Sequence, residues 1–368
     1  MSFLTKKIVS QKIFIIFVEK AINQEEKMGK KLAIIVMTTF LAVISSQSMG
    51  GAKLQIEGEE TWMELGLLGQ IQYMDQNKAA DEDDMFLRRA RIILSGQIMD
   101  GVKVFAETDN DNAGKNGQPA AISTDIQDIF ADVRLYKAES SEHWIKAGLI
   151  LLPFSFENRA GATTPLGIDY NSEAIKMVNT FVWRDYGVEL HGNIGKHFSY
   201  IVGAFDGYDT AGSDKNPDAP LRMTGHIALN PIGEAETGWF YSQERLGKKG
   251  NYFSLGAGID TQDRATLTKI TTTNAIEETI ENDSDNWVVD FQSGFIVEPV
   301  MITLNGAYYD WDNSSFKGKT AFTEAGVMFK KTQLTGKYTL QDPKTCLLYT
   351  SDAADDLLCV DLGGRRII

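Results

Sequence analysis

Between residues 62 and 340, apolar and polar side chains trade places every second residue in one segment after another. Successive side chains of a β-strand point to opposite faces, so this rhythm predicts strands with one apolar and one polar side, not helices. In 65–73, Leu65, Leu67, Ile71 and Tyr73 share one face, while Gly66, Gln70 and Gln72 share the other. In 86–98, Phe86, Ala90, Ile92, Leu94 and Ile98 oppose Arg89, Arg91, Ser95 and Gln97. Val102, Val104 and Ala106 oppose Lys103, Glu107 and Asp109, and Ile129, Ala131, Val133 and Leu135 oppose Asp128, Asp132, Arg134 and Tyr136. The pattern returns at 144–150, 185–192, 198–205, 221–229, 252–260, 287–297, 300–309, 321–329 and 333–340.

These segments approach the roughly 10 residues that a tilted membrane strand needs, whereas soluble strands usually have about 5–6. Connection lengths alternate as well. Short ones fall at Met99-Asp100-Gly101, Ile194-Gly195-Lys196-His197, Glu298-Pro299 and Lys330-Lys331; long polar ones are expected at 75–85, 109–125, 151–181, 206–220, 261–286 and 310–320. Short turns at one end and long loops at the other are the mark of a transmembrane antiparallel up-and-down β-barrel, an all-β fold. Reading 231–251 as one long connection on the short-turn side preserves the alternation and leaves about thirteen strands before Thr345. Trp144, Trp183, Tyr186, Phe198, Tyr200, Trp287, Tyr308, Tyr309 and Trp311 lie near strand ends. Interfacial girdles would place them there, although ordinary β cores are also rich in aromatics.

Both ends differ from this body. Lys30 and Lys31, the apolar stretch Leu32–Ile44 and the small residues Gly50 and Ala52 read as a signal peptide over 28–52. Residues 1–27 are either a longer n-region or, the preferred reading, an extension upstream of the true start. The tail CLLYTSDAADDLLCVDLGGRRII, 346–368, resembles the conceptual translation of a sequencing-library adapter; the alternative is a natural acidic tail. On the first reading the barrel occupies 53–345 and the natural chain continues past Thr345. Both cysteines, Cys346 and Cys359, then lie outside the body, which leaves no disulfide framework or cysteine ligand. A net charge of −14 disfavours nucleic-acid binding, which needs a basic footprint.

Three segments carry a family resemblance. They are FLRRARIILSGQIMDGVKVFAETD (86–109), DIFADVRLYKAESSEHWIKAGLILLPFSFE (128–157) and WRDYGVELHGNIGKHFSYIVGAFDG (183–207). Each resembles a hairpin of the phosphate-selective porin O and P family, and LNPIGE and LGKKGNYFSLGAGID fit later segments. The resemblance implies a barrel of about sixteen strands in the outer membrane of a Gram-negative bacterium, usually a homotrimer, so further strands would follow Thr345. It implies passive diffusion of small hydrophilic solutes, small anions such as phosphate among them. It also implies an inward-folded constriction loop, which by position is 151–181 with Pro153, Phe154, Glu157 and Arg159.

A pore selects by the groups that line it, and charges facing lipid are costly, so the strand charges should face the lumen. Alternation assigns inward Arg89, Arg91, Lys103, Arg134, Lys146, Arg222 and Lys337, together with Glu107, Asp109, Asp128, Asp132, Glu189, Asp290 and Glu324. Arg89, Arg91 and Arg134, on sequence-adjacent hairpins, would form an anion stripe, since guanidinium groups match phosphate oxygens. The competing reading is a wall of charges paired with one another, favoured by Asp128 and Asp132 beside Arg134. The run from Asp109 to Gly114 lacks the fifth-position oxygen and closing Glu of a calcium loop. No metal spacing joins His143, His191, His197 and His226, and no nucleophile elbow or P-loop is present. Neither a cofactor, a metal nor an enzymatic activity is expected. The alternatives are a non-channel surface barrel, an adhesin or structural protein, and a soluble all-β periplasmic enzyme.

Overall fold

A computed structural model describes residues 52–55, 60–75, 83–115, 124–161, 165–166, 170–175, 183–207, 216, 218–236, 241–242, 250–271, 277–313, 316–329 and 332–345. The expected extension 1–27, the signal peptide 28–52 (Ala52 apart) and the tail 346–368 lie outside the described residues.

The strands follow one another in an antiparallel meander. They are β1 (Ala52–Gln55), β2 (Trp62–Asp75), β3 (Asp83–Met99), β4 (Val102–Asp109), β5 (Asp111–Ala113), β6 (Asp125–Lys137), β7 (Glu142–Leu151), β8 (Arg184–Ile194), β9 (Phe198–Phe205), β10 (Arg222–Ile232), β11 (Tyr252–Thr271), β12 (Glu277–Val297), β13 (Val300–Asp312), β14 (Lys317–Phe329) and β15 (Thr332–Thr345). A single turn of helix, α1 (Ser172–Ile175), lies between β7 and β8. Strand order follows chain order from β1 to β15, with only the three-residue β5 off the path, paired to β3. Among the described residues no helix is long and apolar enough to cross a membrane. The chain divides into a smaller unit drawn from Leu67–Arg91 and Asp109–Thr124 and a larger one holding Ala52–Gly66, Ile92–Thr108 and everything from Asp125.

The two faces of the sheet differ chemically. Along β13 the buried residues are Met301, Thr303, Asn305, Ala307, Tyr309 and Trp311, while Ile302, Leu304 and Asp310 alternate with them at higher exposure. The register carries this across strands, so that Ala257, Val289, Tyr308, Ala321 and Leu340 form one outward rung. Isolated exposed apolar residues are ordinary, but a whole sheet face of them is not. Along β12 the outward residues run from Trp287 through Val289, Phe291 and Phe295 to Val297. At about 3.4 Å per residue and a tilt of about 40°, that stretch makes an apolar band about 25 Å tall, the height of a hydrocarbon core spanned by a barrel. Beyond Trp287 the outward positions become Asp285 and Asp283, and the band ends.

The connections depart from expectation at the long-loop end. The expected loop 261–286 is mostly strand, since β11 reaches Thr271, β12 starts at Glu277, and the ladder continues from Thr266↔Asn282 to Thr271↔Glu277. Threonines at 266, 268 and 271 favour extended backbone even where the apolar alternation has stopped. An irregularity between Gln262 and Thr266, with Arg264 at φ 49°, separates this extension from the wall below it. The expected loops 75–85 and 310–320 also shrink, because β3 starts at Asp83, β13 runs on to Asp312 and β14 starts at Lys317. The connection expected at 231–251 starts later, because β10 runs to Ile232, and no named strand lies among its described residues before β11 begins at Tyr252.

The aromatic girdle holds in part. Tyr186 and Trp287 are exposed on the outer face, and Trp287 packs beside Tyr308 at 5.6 Å between ring centroids. Trp144, Tyr309 and Trp311 are buried on the inner face, and Trp183 packs against the interior loop. Nearness to a strand end says nothing about which side a residue faces, and the adjacent Tyr308 and Tyr309 point opposite ways.

Candidate functional site

The inner face of the larger unit carries many charges and amides beside an aromatic cluster, and several of its charges pair across strands. Lys146 Nζ lies 2.6 Å from Glu189 Oε1. Arg222 donates Nε and Nη2 to the two carboxylate oxygens of Asp260 at 2.5 and 2.6 Å, and Thr224 donates its hydroxyl to the same carboxylate. Arg184 Nε is 2.9 Å from both oxygens of Asp128. His191 Nε2 sits 3.0 Å from both oxygens of Asp132, and His226 Nε2 is 2.9 Å from Asp290 Oδ2. Trp144 stacks on His191, with Lys103 Nζ 4.3 Å from the Trp144 ring centroid. At the β3–β4 turn, Arg134 Nη2 reaches Asp100 at 2.5 Å. That hydrogen bond, with another from Glu60, holds the exposed Asp100 carboxyl below its usual range. In the smaller unit, Arg91 holds Asp109 through Nε and Nη2 at 3.1 and 2.8 Å, and Arg89 Nη1 donates to Gln70 at 2.6 Å.

The connection between β7 and β8 folds against this wall. Every residue from Leu151 to Gly161 is buried, the expected constriction residues Pro153, Phe154, Glu157 and Arg159 among them. Phe154 packs on Tyr309 and Trp311 with centroids 5.9 and 5.5 Å apart, and Phe156 meets Phe322 edge-on at 6.0 Å. Burying such side chains contributes about 1.5–3 kcal/mol each, which makes this cluster the main anchor of the loop. Polar bonds fix its register on the wall. Ser155 Oγ is 3.0 Å from the Tyr309 hydroxyl, the Phe156 amide donates to Asp290, Thr320 donates to the Ala174 carbonyl, and Thr335 donates to that of Leu166. Gly258 makes the approach possible, because a Cβ there would lie 1.9 Å from the Phe154 carbonyl oxygen.

At the foot of the loop two carboxyl groups share one amide. Asn171 donates its backbone N–H (2.7 Å) and Nδ2 (3.1 Å) to Glu157 Oε1, and the same Nδ2 donates to Glu324 at 3.2 Å. Asn305 donates to the other Glu324 oxygen. Burial, and then Glu324 beside it, push the Glu157 carboxyl up to about 7 against the opposing Asn171 bonds.

A second segment enters from the opposite end of the strands. Ala160 and Ser242, the latter from the 233–251 connection, form a parallel β-bridge, with the Ser242 amide donating to Arg159 O at 2.9 Å. Ser242 Oγ donates to the Phe156 carbonyl, and the Tyr241 hydroxyl donates to Glu107 Oε1 at 2.9 Å. Between these segments and strands β9–β12 remains a cavity of about 30 Å³, bordered by Ser155, Arg159, His226, Asn230 and Gln292.

Of the residues expected to line the lumen, Arg89, Arg91, Lys146, Arg222, Glu107, Asp128, Asp132, Glu189, Asp290 and Glu324 are buried, while Lys103, Asp109, Arg134 and Lys337 are half-buried. The sequence reading missed Asp260 and Arg184, which complete two of the pairs, and the inward course of Tyr241 and Ser242. Asp260 continues the inner-face alternation Ser254, Gly256, Gly258, and that signal was available. Tyr241 and Ser242 stand in a polar connection with no periodic signal. Among the described residues no three His, Cys, Asp or Glu side chains are grouped to hold a metal.

No family model and no curated protein matches the chain. Among solved structures it is similar to OprB from Pseudomonas putida, at 10% identity over 76% of this chain and 74% of that one, with a TM-score of 0.51. OmpT, an outer membrane protein of Vibrio cholerae in its trimer form, aligns at 9% identity over 80% of this chain and 89% of its own, with a TM-score of 0.36. A mutant of the Rh. blastica porin aligns at 12% identity over 76% and 94%, with a TM-score of 0.33. The OprB likeness shows the fold, that of an outer-membrane β-barrel porin. At such identity it carries neither solute nor assembly.

Proposed function

We propose that this chain is a passive channel of the Gram-negative outer membrane that admits small hydrophilic solutes and discriminates little between ions. The observation that carries the reading is the contrast between the two faces: an apolar band about 25 Å tall outside, and inside a wall on which cation–carboxylate pairs face one another across strands. Ion preference follows the uncompensated charge along a pathway. Lys146–Glu189, Arg222–Asp260, Arg184–Asp128 and Arg91–Asp109 each cancel a cation against a carboxylate and so weaken any strong preference.

The resemblance to phosphate-selective porins implies an anion preference, which would require inward cations whose charge is not already met by a carboxylate. The pairing of Arg91 and Arg134 weighs against that finer reading. Assembly as a homotrimer and completion to about sixteen strands rest on the resemblance alone. The test is reconstitution of the purified protein in a planar bilayer. Stepwise conductance supports the channel, and a folded, inserted protein without conductance rejects it. One observation favours a second reading, a non-channel surface barrel: segments from both strand ends meet in the interior at Ala160 and Ser242. The same recording separates the two.

A further inference from the structure

We infer that Tyr241 and Ser242 form a strut across the lumen that sets the largest solute the channel passes. The inference rests on the channel reading above and goes beyond it, because the narrowing is then made by a segment from the short-turn end as well as by the β7–β8 loop.

The contacts form a continuous chain from wall to wall. It starts on β4, where Glu107 accepts the Tyr241 hydroxyl. The neighbouring Ser242 joins the loop through its amide on Arg159 O and its hydroxyl on the Phe156 carbonyl. The loop in turn is fixed to β13 by Ser155 on Tyr309 and by the Phe154 ring. Seven strands, β6 to β12, separate β4 from β13 along the sheet. A contact chain of a few residues between strands so far apart must cross the interior that the sheet encloses.

The Tyr241 ring lies flush on the loop backbone at Gly161, where a Cβ would come within 2.8 Å of the ring. One cavity on the β9–β12 side of the strut measures about 30 Å³. At roughly 10–15 Å³ per water position that holds about two waters, not a solute. A pathway conducts and sieves by its narrowest section. A solute too large for that cavity must pass beside the strut, which then bounds the opening.

The attachment is local. The hydrogen bonds to Glu107, Arg159 O and the Phe156 carbonyl, and the ring face on Gly161, are not strand-to-strand bonds of the wall, so the strut is removable without unmaking the sheet. The test compares the full chain with a Tyr241→Ala, Ser242→Gly double variant. Readouts are single-channel conductance and the size cut-off for uncharged oligosaccharides in liposome swelling. The expected result is a higher conductance and a cut-off shifted to larger sugars, with unchanged heat-modifiable migration. Equal conductance and cut-off in parent and variant overturn the strut while leaving the channel reading intact. No conductance from either folded protein removes the channel reading and the strut with it. Should the double variant fail to fold, Tyr241→Phe and Ser242→Gly, each removing one hydrogen bond, carry the same comparison, and two unchanged cut-offs reject the strut.

Discussion

Lys146 and Glu189 face each other across the β7–β8 ladder, with Nζ 2.6 Å from Oε1 and neither side chain more than 3% exposed. Removing two charges from water is costly, and their mutual attraction offsets that cost only while both remain. Glu189→Gln removes the carboxylate charge 2.6 Å from the ammonium group and is expected to destabilise the barrel by about 3–5 kcal/mol, whereas replacing both partners with apolar residues is expected to be close to neutral. Urea unfolding in detergent micelles measures both. Equal losses in the single and double variants would mean that the pair is solvated.

The Arg222–Asp260 pair gives a prediction about ions. Asp260→Asn removes the negative charge beside the Arg222 guanidinium and should move the zero-current potential under a salt gradient toward anions. Arg222→Gln should move it toward cations. Shifts of opposite sign from the two halves of one pair are the signature of a compensated lining; no shift from either would place the pair off the conduction path.

The loop anchor is testable at Phe154, whose ring fills the angle between Tyr309 and Trp311. Truncating a buried phenylalanine to alanine costs about 3–5 kcal/mol, and here the loss falls on loop docking because the strands keep their ladders. Phe154→Ala is expected to give noisier, larger conductance steps from a barrel with unchanged heat-modifiable migration. A quiet channel of parental size would assign the anchoring elsewhere.

Glu157 makes the docking depend on pH. It faces Asn171 within the loop, Glu324 from β14, Lys337 from β15 and Tyr309 from β13. Its carboxyl is raised from 4.5 to about 7 when the loop is docked. A raised acid favours the docked state fully below its ordinary value, and that contribution is lost as pH rises through the docked value. Loop docking should therefore be firmest in acid and loosen toward pH 7. Conductance recorded between about pH 5 and pH 8.5 is expected to rise, and to lose that rise in Glu157→Gln. The same rise in the variant would assign it to another group.

How legible this was in the sequence depends on range. Strand alternation is local, so the order of the meander could be read directly, and it marked residues from Arg89 to Lys337 that are buried or half-buried. The length of β11 and β12 was not, because their upper halves hold together through backbone pairing and threonine, with no apolar face to mark them. The faces of Trp144 and Trp311 were misjudged because nearness to a strand end was taken as a proxy for side. The pairs were half visible. Lys146 and Glu189 each appear as inward charges, but their facing positions depend on the register between β7 and β8, which a 32-residue connection hides (residues 152–183). The meeting of Ala160 with Ser242 depends on two polar segments 82 positions apart, and no periodicity reports it.

The most direct test of a self-compensated aqueous channel is the zero-current potential of the purified protein in a planar bilayer under a salt gradient. A conducting pore with a potential close to zero is the predicted result. A potential near the full anion or cation limit would contradict the matched lining, and a folded, inserted protein that carries no current would contradict the channel itself.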